Sequence, residues 1–438
     1  RWELAGGVDD SAQLLRHEQM GHFDGVGEGE QEVGGEDLVL GEVARFPDVR
    51  QGENPLAYRK LRTTAIDNHA DAFVTGVAGG IELVAGAFST SPTRSRRKGR
   101  ELGLSRNRSY PSYLEMVARE LERPAGDRID FVSIVTPNNE HFPVAKVFLE
   151  AGFHVVCDKP MTLTVAEARR LKQIVRKTRR VFALTHNYTG YPMVKLARDL
   201  VRQGKLGALR KVIVEYPQGW LATRLEASGM KQAQWRTDPA RSGGTGCMGD
   251  IGTHAENLAE YVTGLRIIEL CADLTTFVEG RRLDDDGNVL IRMQKGVRGV
   301  LHASQVSVGE DNGLSIRLYG ERKGLEWHQE EPNVLEVKSQ DGPGERWVRG
   351  QAYVAETSPA AARASGLPAG HPEAFLDAFA NVYRNAVDTM RARLAHVRPD
   401  PLVLDFPTVD DGLRGMLFLE TLVKSAKSSR KWTRVPVR

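Results

Sequence analysis

Asp250 and His254 are the residues whose types and spacing best suit acid–base chemistry. They lie four positions apart in residues 249–258, GDIGTHAENL, so a helix would carry both on one face. A histidine has an ordinary pKa of about 6.5, which lets it accept or donate a proton near neutral pH. A nearby carboxylate can orient a bound hydroxyl or favour the imidazolium form. The same spacing is also common on helix surfaces, where it is purely structural.

Lys159 is the third candidate, and it follows an apolar segment at 153–156, FHVV. A similar segment at 131–135, FVSIV, ends in the polar turn 136–139, TPNN, and an amphipathic helical pattern joins the two. Such β-branched segments suit buried parallel strands, so we predict a β-α-β unit. Ligands bind beyond the carboxyl ends of parallel strands. The turn and Lys159 are therefore expected side by side, where a lysine can hold a hydroxyl and stabilise alkoxide charge.

Two segments, TPNNEH at 136–141 and HVVCDKP at 154–160, together resemble the nicotinamide-binding part of the Gfo/Idh/MocA superfamily. This is the superfamily of glucose-fructose oxidoreductase and inositol dehydrogenase. Its usual Glu-Lys-Pro stands here as 158–160, DKP, which keeps a carboxylate before the lysine. The family also combines a lysine after a late strand with an Asp-x-x-x-His helix, as Lys159, Asp250 and His254 do here. The resemblance covers roughly residues 81–435.

The resemblance implies an NAD(P)-dependent oxidoreductase that interconverts a secondary hydroxyl and a ketone, or a lactol and a lactone. Its substrate would be a sugar, cyclitol or related polyol, with His254 as acid–base, Lys159 as activating group and Asp250 as orienting residue. We expect substrate contacts at Lys159, Tyr188, Trp235, Arg236, Asp250 and His254. We expect cofactor contacts at Ser89, Arg94, Thr136, Pro137, Asn138, His141, Asp158, Lys159 and Asn187.

The sequence leaves alternatives open for the roles of individual residues and for the function of the whole protein. Trp235 and Arg236 suit stacking and hydrogen bonding with a polyol, but they are equally suited to anchor a loop. His141 can shape the cofactor pocket or serve as a structural residue at a helix start. Some members of the superfamily use bound NAD for transient oxidation during glycoside hydrolysis, which makes a glycosidase the second functional hypothesis. The third is a non-catalytic protein that has lost cofactor binding.

The sequence departs from the family at the phosphate-binding loop. Members begin with a strand and a G-x-G-x-x-G loop that holds pyrophosphate, and residues 58–80 lack this signature. A literal match at 244–249, GTGCMG, follows the polar segment 237–242 rather than an apolar strand. We therefore predict that the match is a flexible active-site loop leading into a helix. The first βα unit looks truncated, which underlies the non-catalytic hypothesis.

Cofactor choice is predicted from the residues after the strand at 81–88. Residues 89–91, STS, replace the acidic residue that would bind both ribose hydroxyls of NAD. Arg94, Arg96 and Arg97 follow, and hydroxyl groups with arginines suit a 2'-phosphate. The cofactor is thus NADP or NAD. A solvated basic helix start is the alternative interpretation of the arginines.

The fold class predicted is α/β, with a Rossmann-like parallel-sheet domain followed by an α+β domain with a large, mostly antiparallel open sheet. Residues 1–60 are Gly/Glu-rich and are predicted to be a poorly ordered extension. Residues 61–186 would bind NAD(P), and residues 187–438 would bind substrate and form oligomers. In the family the open sheet often joins subunits, which implies a homodimer or homotetramer. Strands are expected at 211–216, 267–277, 289–293, 299–306 and 314–319, and helices at 191–203, 250–263, 372–395 and 409–427.

Composition excludes several classes of partner. A net charge of +3 in 438 residues gives no sign of nucleic-acid binding. The three cysteines are far apart in sequence, which fits a reduced cytoplasmic protein and argues against a disulfide framework or a thiolate metal site. No apolar segment approaches the roughly 20 residues that span a bilayer. We therefore predict a cytoplasmic protein with no metal and no membrane partner.

Overall fold

The computed structural model of the protein describes residues 61–66 and 79–436. The extension predicted at 1–60 lies outside the described residues. In the described part of the chain, five parallel strands form the first sheet, in the order β2-β1-β3-β4-β5. Strands β3 and β4 are buried along their whole length, which explains their continuous apolar sequences. The strands are β1 Leu61–Ile66, β2 Ile81–Gly86, β3 Phe131–Ile134, β4 His154–Cys157 and β5 Phe182–Leu184.

Helices connect the later strands of this sheet. One of them begins with the capping box that the Thr-x-x-Glu sequence at 164–167 predicts: the Thr164 side chain accepts from the Glu167 backbone N–H, and the Glu167 carboxylate accepts from the Thr164 N–H. The β-α-β unit predicted around Lys159 is confirmed as β3, a helix and β4. The helices are α1 Pro92–Glu101, α2 Tyr113–Leu121, α3 Asn138–Glu150 and α4 Val165–Thr178.

The strand order reverses between β1 and β3, since the chain runs from β1 to β2 on one side and then to β3 on the other. Such a switch point opens a crevice at the carboxyl ends of the strands. Ser89 follows β2 and Thr136 follows β3, so both lie at this edge. The predicted Rossmann-like arrangement is therefore confirmed.

The second sheet has nine strands, in the order β13-β12-β11-β10-β6-β9-β8-β7-β14. Its neighbours are antiparallel except β6 and β9, which pair in parallel, so the predicted mostly antiparallel sheet is confirmed. The last three strands of the meander, β11 to β13, were missing from the sequence prediction. In 323–328, KGLEWH, only Leu325 and Trp327 face the core, and so short an alternation is a weak signal.

The strands of this sheet are β6 Leu209–Pro217, β7 Ile267–Thr275, β8 Asp286–Met293, β9 Arg298–Ser304, β10 Ser315–Gly320, β11 Lys323–His328, β12 Val334–Ser339, β13 Glu345–Val348 and β14 Thr433–Arg434. The helices are α5 Pro192–Arg202, α6 Lys231–Arg236, α7 Pro239–Ser242, α8 Thr253–Thr263, α9 Ala352–Thr357, α10 Pro359–Ala364, α11 Phe375–Leu394 and α12 Val409–Ala426. Within the described part of the chain, no helix combines the length and apolarity that a membrane span requires.

Helix α11 joins the C-terminal part of the chain to the first sheet. Tyr383, Val387 and Met390 of this helix pack in one apolar cluster with Phe131 and Val156 from the first sheet. The Tyr383 hydroxyl also lies 2.5 Å from the Ser133 hydroxyl on β3. A helix distant in sequence therefore covers a face of the parallel sheet.

Candidate active site

A π-helical turn, Met248–Gly252, carries Asp250 and continues directly into α8. Asp284 holds the beginning of this turn, because its carboxylate accepts from the backbone N–H groups of Gly246 and Met248, each at 2.8 Å. A Cβ at position 246 would collide with the Asp284 carbonyl oxygen, so glycine is required there. The glycine motif at 244–249 therefore directs its N–H groups to Asp284. The motif leads into the helix as predicted, but the bonds to Asp284 anchor it, whereas the sequence predicted a flexible loop.

Lys159 and Asp250 form a direct ion pair. The Lys159 ammonium donates to Asp250 Oδ1 at 2.7 Å and to the Asp250 carbonyl oxygen at 2.6 Å. The other carboxylate oxygen accepts from Arg236 Nε at 3.2 Å and from Gln305 Nε2 at 2.8 Å. Burial by itself raises the pKa of Asp250, but Lys159 and Arg236 outweigh it and hold that pKa well below its usual value. Asp250 is therefore ionised and fixes the position of Lys159.

His254 lies in a buried aromatic setting one helical turn beyond Asp250. Its ring meets the ring of Tyr188 edge-on, with centroids 4.7 Å apart, and that of His186 at 5.2 Å. Its Nδ1 lies 3.4 Å from Nδ1 of His186. Burial, and then the nearby charge of Lys159, lower the pKa of His254 well below its usual value. The imidazole is thus neutral at neutral pH, the form that accepts a proton.

A cavity of about 920 Å³ lies beyond the carboxyl ends of β2 and β3. Ser89, Arg94, Thr136 and Pro137, four of the residues predicted to bind cofactor, are on its wall. Residues from the second domain close the cavity on the other side, and sequence reasoning missed them because they lie far along the chain. The residues on the wall that were not predicted include Tyr113, Lys231 and Arg241.

Three other predicted cofactor residues hold the strand-end turns together. Asn138 donates from Nδ2 to the Ser242 carbonyl at 3.0 Å, and Asp158 accepts from the Thr185 hydroxyl at 2.5 Å. The ring nitrogens of His141 lie 2.8 Å and 2.9 Å from the carbonyl oxygens of Pro160 and Thr136. His141 thus links the TPNN turn to the DKP turn, which favours its structural interpretation.

Thr136 Oγ1 and Asn187 Nδ2 are among the buried polar atoms that have no hydrogen-bond partner in the described residues, and both lie at this edge. They follow β3 and β5, at the strand ends where a dinucleotide binds in this class of fold. Leaving such a group unpaired costs about 1–3 kcal/mol. Both atoms are therefore suited to a polar ligand, and the residues present fit a nicotinamide dinucleotide.

Arg236, which donates to Asp250, lies close to two indole rings. The Arg236 guanidinium lies 4.5 Å from the ring centroid of Trp235 and 5.8 Å from that of Trp220. The predicted Tyr188 is buried, and its hydroxyl is hydrogen-bonded to that of Tyr216. Tyr188 therefore supports His254 with its ring.

Sequence reasoning missed His186, Gln305 and Trp220. His186 follows β5, so the strand-end rule that selected Asn187 could also have selected it. Gln305 follows β9 in the second sheet, where strands mostly alternate in direction and no such rule applies. Its position beside Asp250 results only from tertiary packing.

Residues 62–186 match the family described as "Oxidoreductase family, NAD-binding Rossmann fold", and residues 194–326 match the "GFO/IDH/MocA C-terminal domain". The uncharacterized oxidoreductase YfiI of Bacillus subtilis is 34% identical over 357 residues, which cover 80% of this chain and 88% of that protein. The chain belongs to the Gfo/Idh/MocA family. The resemblance read from the TPNN, DKP and Asp-x-x-x-His segments is confirmed.

This Gfo/Idh/MocA chain is also similar to solved structures. An inositol dehydrogenase homolog from Azotobacter vinelandii, complexed with NAD⁺, is 32% identical with a TM-score of 0.80, over 86% of this chain and 97% of that one. The same homolog has been solved with NADH and myo-inositol, and that complex has a TM-score of 0.78. Levoglucosan dehydrogenase of Pseudarthrobacter phenanthrenivorans is 27% identical over 232 residues, 48% of this chain and 58% of that protein. The protein is an oxidoreductase with an NAD-binding Rossmann domain.

Thr136→Val tests the cofactor site, because it removes an unpaired hydroxyl at nearly constant shape. We expect cofactor affinity to fall roughly 3- to 10-fold, the value of one hydrogen bond, while the free protein is as stable as before or more so. Calorimetric titration and thermal unfolding measure the two effects. Thr389→Val is the control, because its hydroxyl already donates to two carbonyls far from the cavity. The control should lose stability and keep affinity; unchanged affinity in Thr136→Val would contradict the assignment.

Proposed function

We propose that this protein is an NAD(P)-dependent dehydrogenase that oxidises a secondary hydroxyl or lactol of a sugar, cyclitol or related polyol. The observation that carries the proposal is the ion pair of Lys159 and ionised Asp250 close to a neutral, buried His254. This arrangement combines a cation for an alkoxide with a base for its proton. Lys159 follows β4, at the same edge of the first sheet as the unpaired groups of Thr136 and Asn187.

The bound nicotinamide would supply the hydride acceptor. Lys159, held by Asp250, would donate a hydrogen bond to the reacting hydroxyl and stabilise negative charge on its oxygen. His254 would accept the hydroxyl proton at Nε2, because its Nδ1 is the nitrogen that faces His186. Arg236 and Gln305 would keep the Asp250 carboxylate in place through its second oxygen.

Trp220, Trp235 and Arg236 support a carbohydrate or cyclitol substrate. Indole rings stack on the apolar faces of such rings, while the guanidinium offers donors to hydroxyl groups. Two relatives are named for ligands of this class, one solved with myo-inositol and one a levoglucosan dehydrogenase. The substrate proposed for this chain is therefore a ring-shaped polyol.

Cofactor binding followed by a substrate screen tests the proposal. We expect NAD(H) or NADP(H) to bind with micromolar or tighter affinity in calorimetric titration, after removal of any nucleotide retained in purification. The tighter cofactor is then used with a panel of sugars and cyclitols, and reduced cofactor is followed by absorbance. A folded protein that binds neither cofactor would contradict the proposal. Cleavage of a nitrophenyl glycoside without accumulated reduced cofactor would favour the glycosidase instead.

The pH dependence of oxidation should reflect the environment of His254. Its pKa in the folded protein lies below the ordinary 6.5, so the neutral base persists as the pH falls through that value. We expect kcat/KM for oxidation to show no loss of activity centred near pH 6.5, with the acid limb displaced to lower pH. A profile measured in constant-ionic-strength buffers checks this. An acid limb with an apparent pKa near 6.5 would contradict it.

The exposed face of the second sheet supports self-association. Leu290 on β8 and Tyr319 on β10, both large hydrophobic residues, are 45% and 39% exposed. Helices pack against the other face of this sheet. We infer a homodimer or homotetramer through the exposed face. Light scattering should then give two or four times the chain mass of 48.4 kDa, and a monomer at micromolar concentration would contradict this.

A further inference from the structure

His186 faces His254 across the junction between the two sheets. The rings are nearly perpendicular, at 86°, and their Nδ1 atoms are 3.4 Å apart. His186 is held through its backbone: its carbonyl oxygen accepts from the Thr189 N–H at 3.2 Å and from the Thr189 hydroxyl at 2.9 Å. The His186 ring therefore projects from a fixed 3-10 turn immediately after β5.

Two neutral imidazoles that meet through Nδ1 have only two hydrogen-bonded arrangements. Either His254 Nδ1–H donates to the lone pair of His186 Nδ1, or the reverse holds. In the first arrangement Nε2 of His254 carries a lone pair and can act as a base. In the second, Nε2 of His254 carries a proton and cannot accept another. Among the described residues, Nδ1 is the only nitrogen of His254 that makes a hydrogen bond, which leaves Nε2 for a ligand.

We propose that His186 is a positioning residue that accepts a hydrogen bond from His254 Nδ1–H and thereby sets the base-competent tautomer of His254. This inference rests on the proposed function, since only a base needs the lone pair at Nε2. When Nε2 takes the hydroxyl proton, His254 becomes an imidazolium whose Nδ1–H still donates to His186. A second imidazole thus accepts the Nδ1–H hydrogen bond that a carboxylate accepts from many catalytic histidines.

The charges around the pair support a neutral His186. Lys159 lies close enough to lower the pKa of both rings, and burial, the larger cause, acts in the same direction and brings the pKa of His186 to about 3. The other groups facing His254 are the rings of Tyr188 and Tyr216. A neutral His186 keeps one nitrogen lone pair as acceptor, whereas a protonated one would have none.

The tautomer itself can be measured without any substrate. In protein labelled with ¹⁵N-histidine, nitrogen chemical shifts distinguish the Nδ1–H from the Nε2–H form, and His254→Asn assigns the signals of His254. At neutral pH we expect His254 of the full chain to be in the Nδ1–H form, and His186→Leu to shift it toward Nε2–H. An Nε2–H form in the unaltered protein would overturn the proposal, whether or not a substrate has been found.

Kinetics with three substitutions at position 186 provide the second test. His186→Asn places an amide oxygen at the distance of Nδ1 from the backbone, His186→Gln places it one bond further, and His186→Leu removes the acceptor. We expect kcat to fall roughly 100-fold in the Leu and Gln variants, the lower end of what a general base contributes. The Asn variant should recover most of kcat, and KM and cofactor affinity should change less than about 3-fold in all three.

The control is His154→Leu, which removes a buried imidazole acceptor that binds the Val181 N–H at the other end of β4. It should lower the thermal unfolding midpoint and leave kcat within about 3-fold. The proposal is overturned if His186→Leu retains kcat. It is also overturned if the Asn, Gln and Leu variants all lose kcat to the same extent and change KM and cofactor affinity as much as kcat. Absence of cofactor binding in the unaltered protein would contradict the proposed function and leave the tautomer measurement as the independent test of His186.

Discussion

Lys159→Met is expected to lower kcat by about a thousandfold or more, the combined effect of losing the hydroxyl donor and the cation beside the alkoxide. Methionine has a similar length and no charge, so it fills the space without pairing with Asp250. Asp250 still has Arg236 and Gln305 as partners, so the variant should fold. Cofactor affinity should remain within about 10-fold, because Lys159 is only one of several predicted contacts.

Steady-state kinetics and calorimetric titration with the same cofactor separate these effects. Lys172→Met is the matched control, because Lys172 pairs with Asp410 on the surface. It should change kcat by less than about 2-fold, as expected for a surface ion pair. If Lys159→Met kept more than about a tenth of kcat, the role assigned to the lysine would be wrong. If the variant lost its fold, circular dichroism would reveal this before any kinetic measurement.

Asp405→Asn is expected to destabilise the protein by about 3–5 kcal/mol at neutral pH, the usual cost of removing one partner from a buried ion pair. The Asp405 carboxylate accepts from Lys195 at 2.8 Å, from Arg198 at 2.5 Å and from the Tyr261 hydroxyl at 2.9 Å. The side chains of Lys195 and Arg198 are only 3% and 6% exposed, so both cations would remain buried with too little compensating charge. Activity per folded molecule should be unchanged.

The effect should depend on pH in a definite direction. Burial opposes ionisation of Asp405, but Lys195 and Arg198 lower its pKa to about 2 in the folded protein. That value lies below the ordinary one of about 3.9 in the unfolded chain. Its stabilising contribution is therefore complete above about pH 4 and is lost as the pH falls toward 2. The difference between the two proteins should shrink over that window.

Urea unfolding at neutral and acidic pH checks the size of the destabilisation and its pH dependence. Asp341→Asn, at an exposed position, is the control. The free energy of unfolding of the control should stay within about 0.5 kcal/mol of that of the unaltered protein. Equal midpoints for Asp405→Asn and the unaltered protein would contradict the prediction.

The sequence by itself determined the central β-α-β unit, the capping box at Thr164 and the three candidate catalytic residues. These features depend on neighbours within a few positions, or on the rule that parallel strands carry ligands at one edge. Such short-range patterns survive in a single chain without any knowledge of its packing. The family could be recognised from them, even though the first βα unit lacks the usual glycine loop.

Only the tertiary structure decided which side chains meet. Gln305 reaches Asp250, and Asp284 anchors the π-helical turn, across long stretches of intervening chain. Asp250 pairs with Lys159 rather than with His254, although the sequence spacing alone favoured a shared helix face. His254 meets His186 instead, because the 3-10 turn after β5 packs beside α8. Contacts of this kind depend on how the sheets and helices pack, and no local sequence pattern encodes that packing.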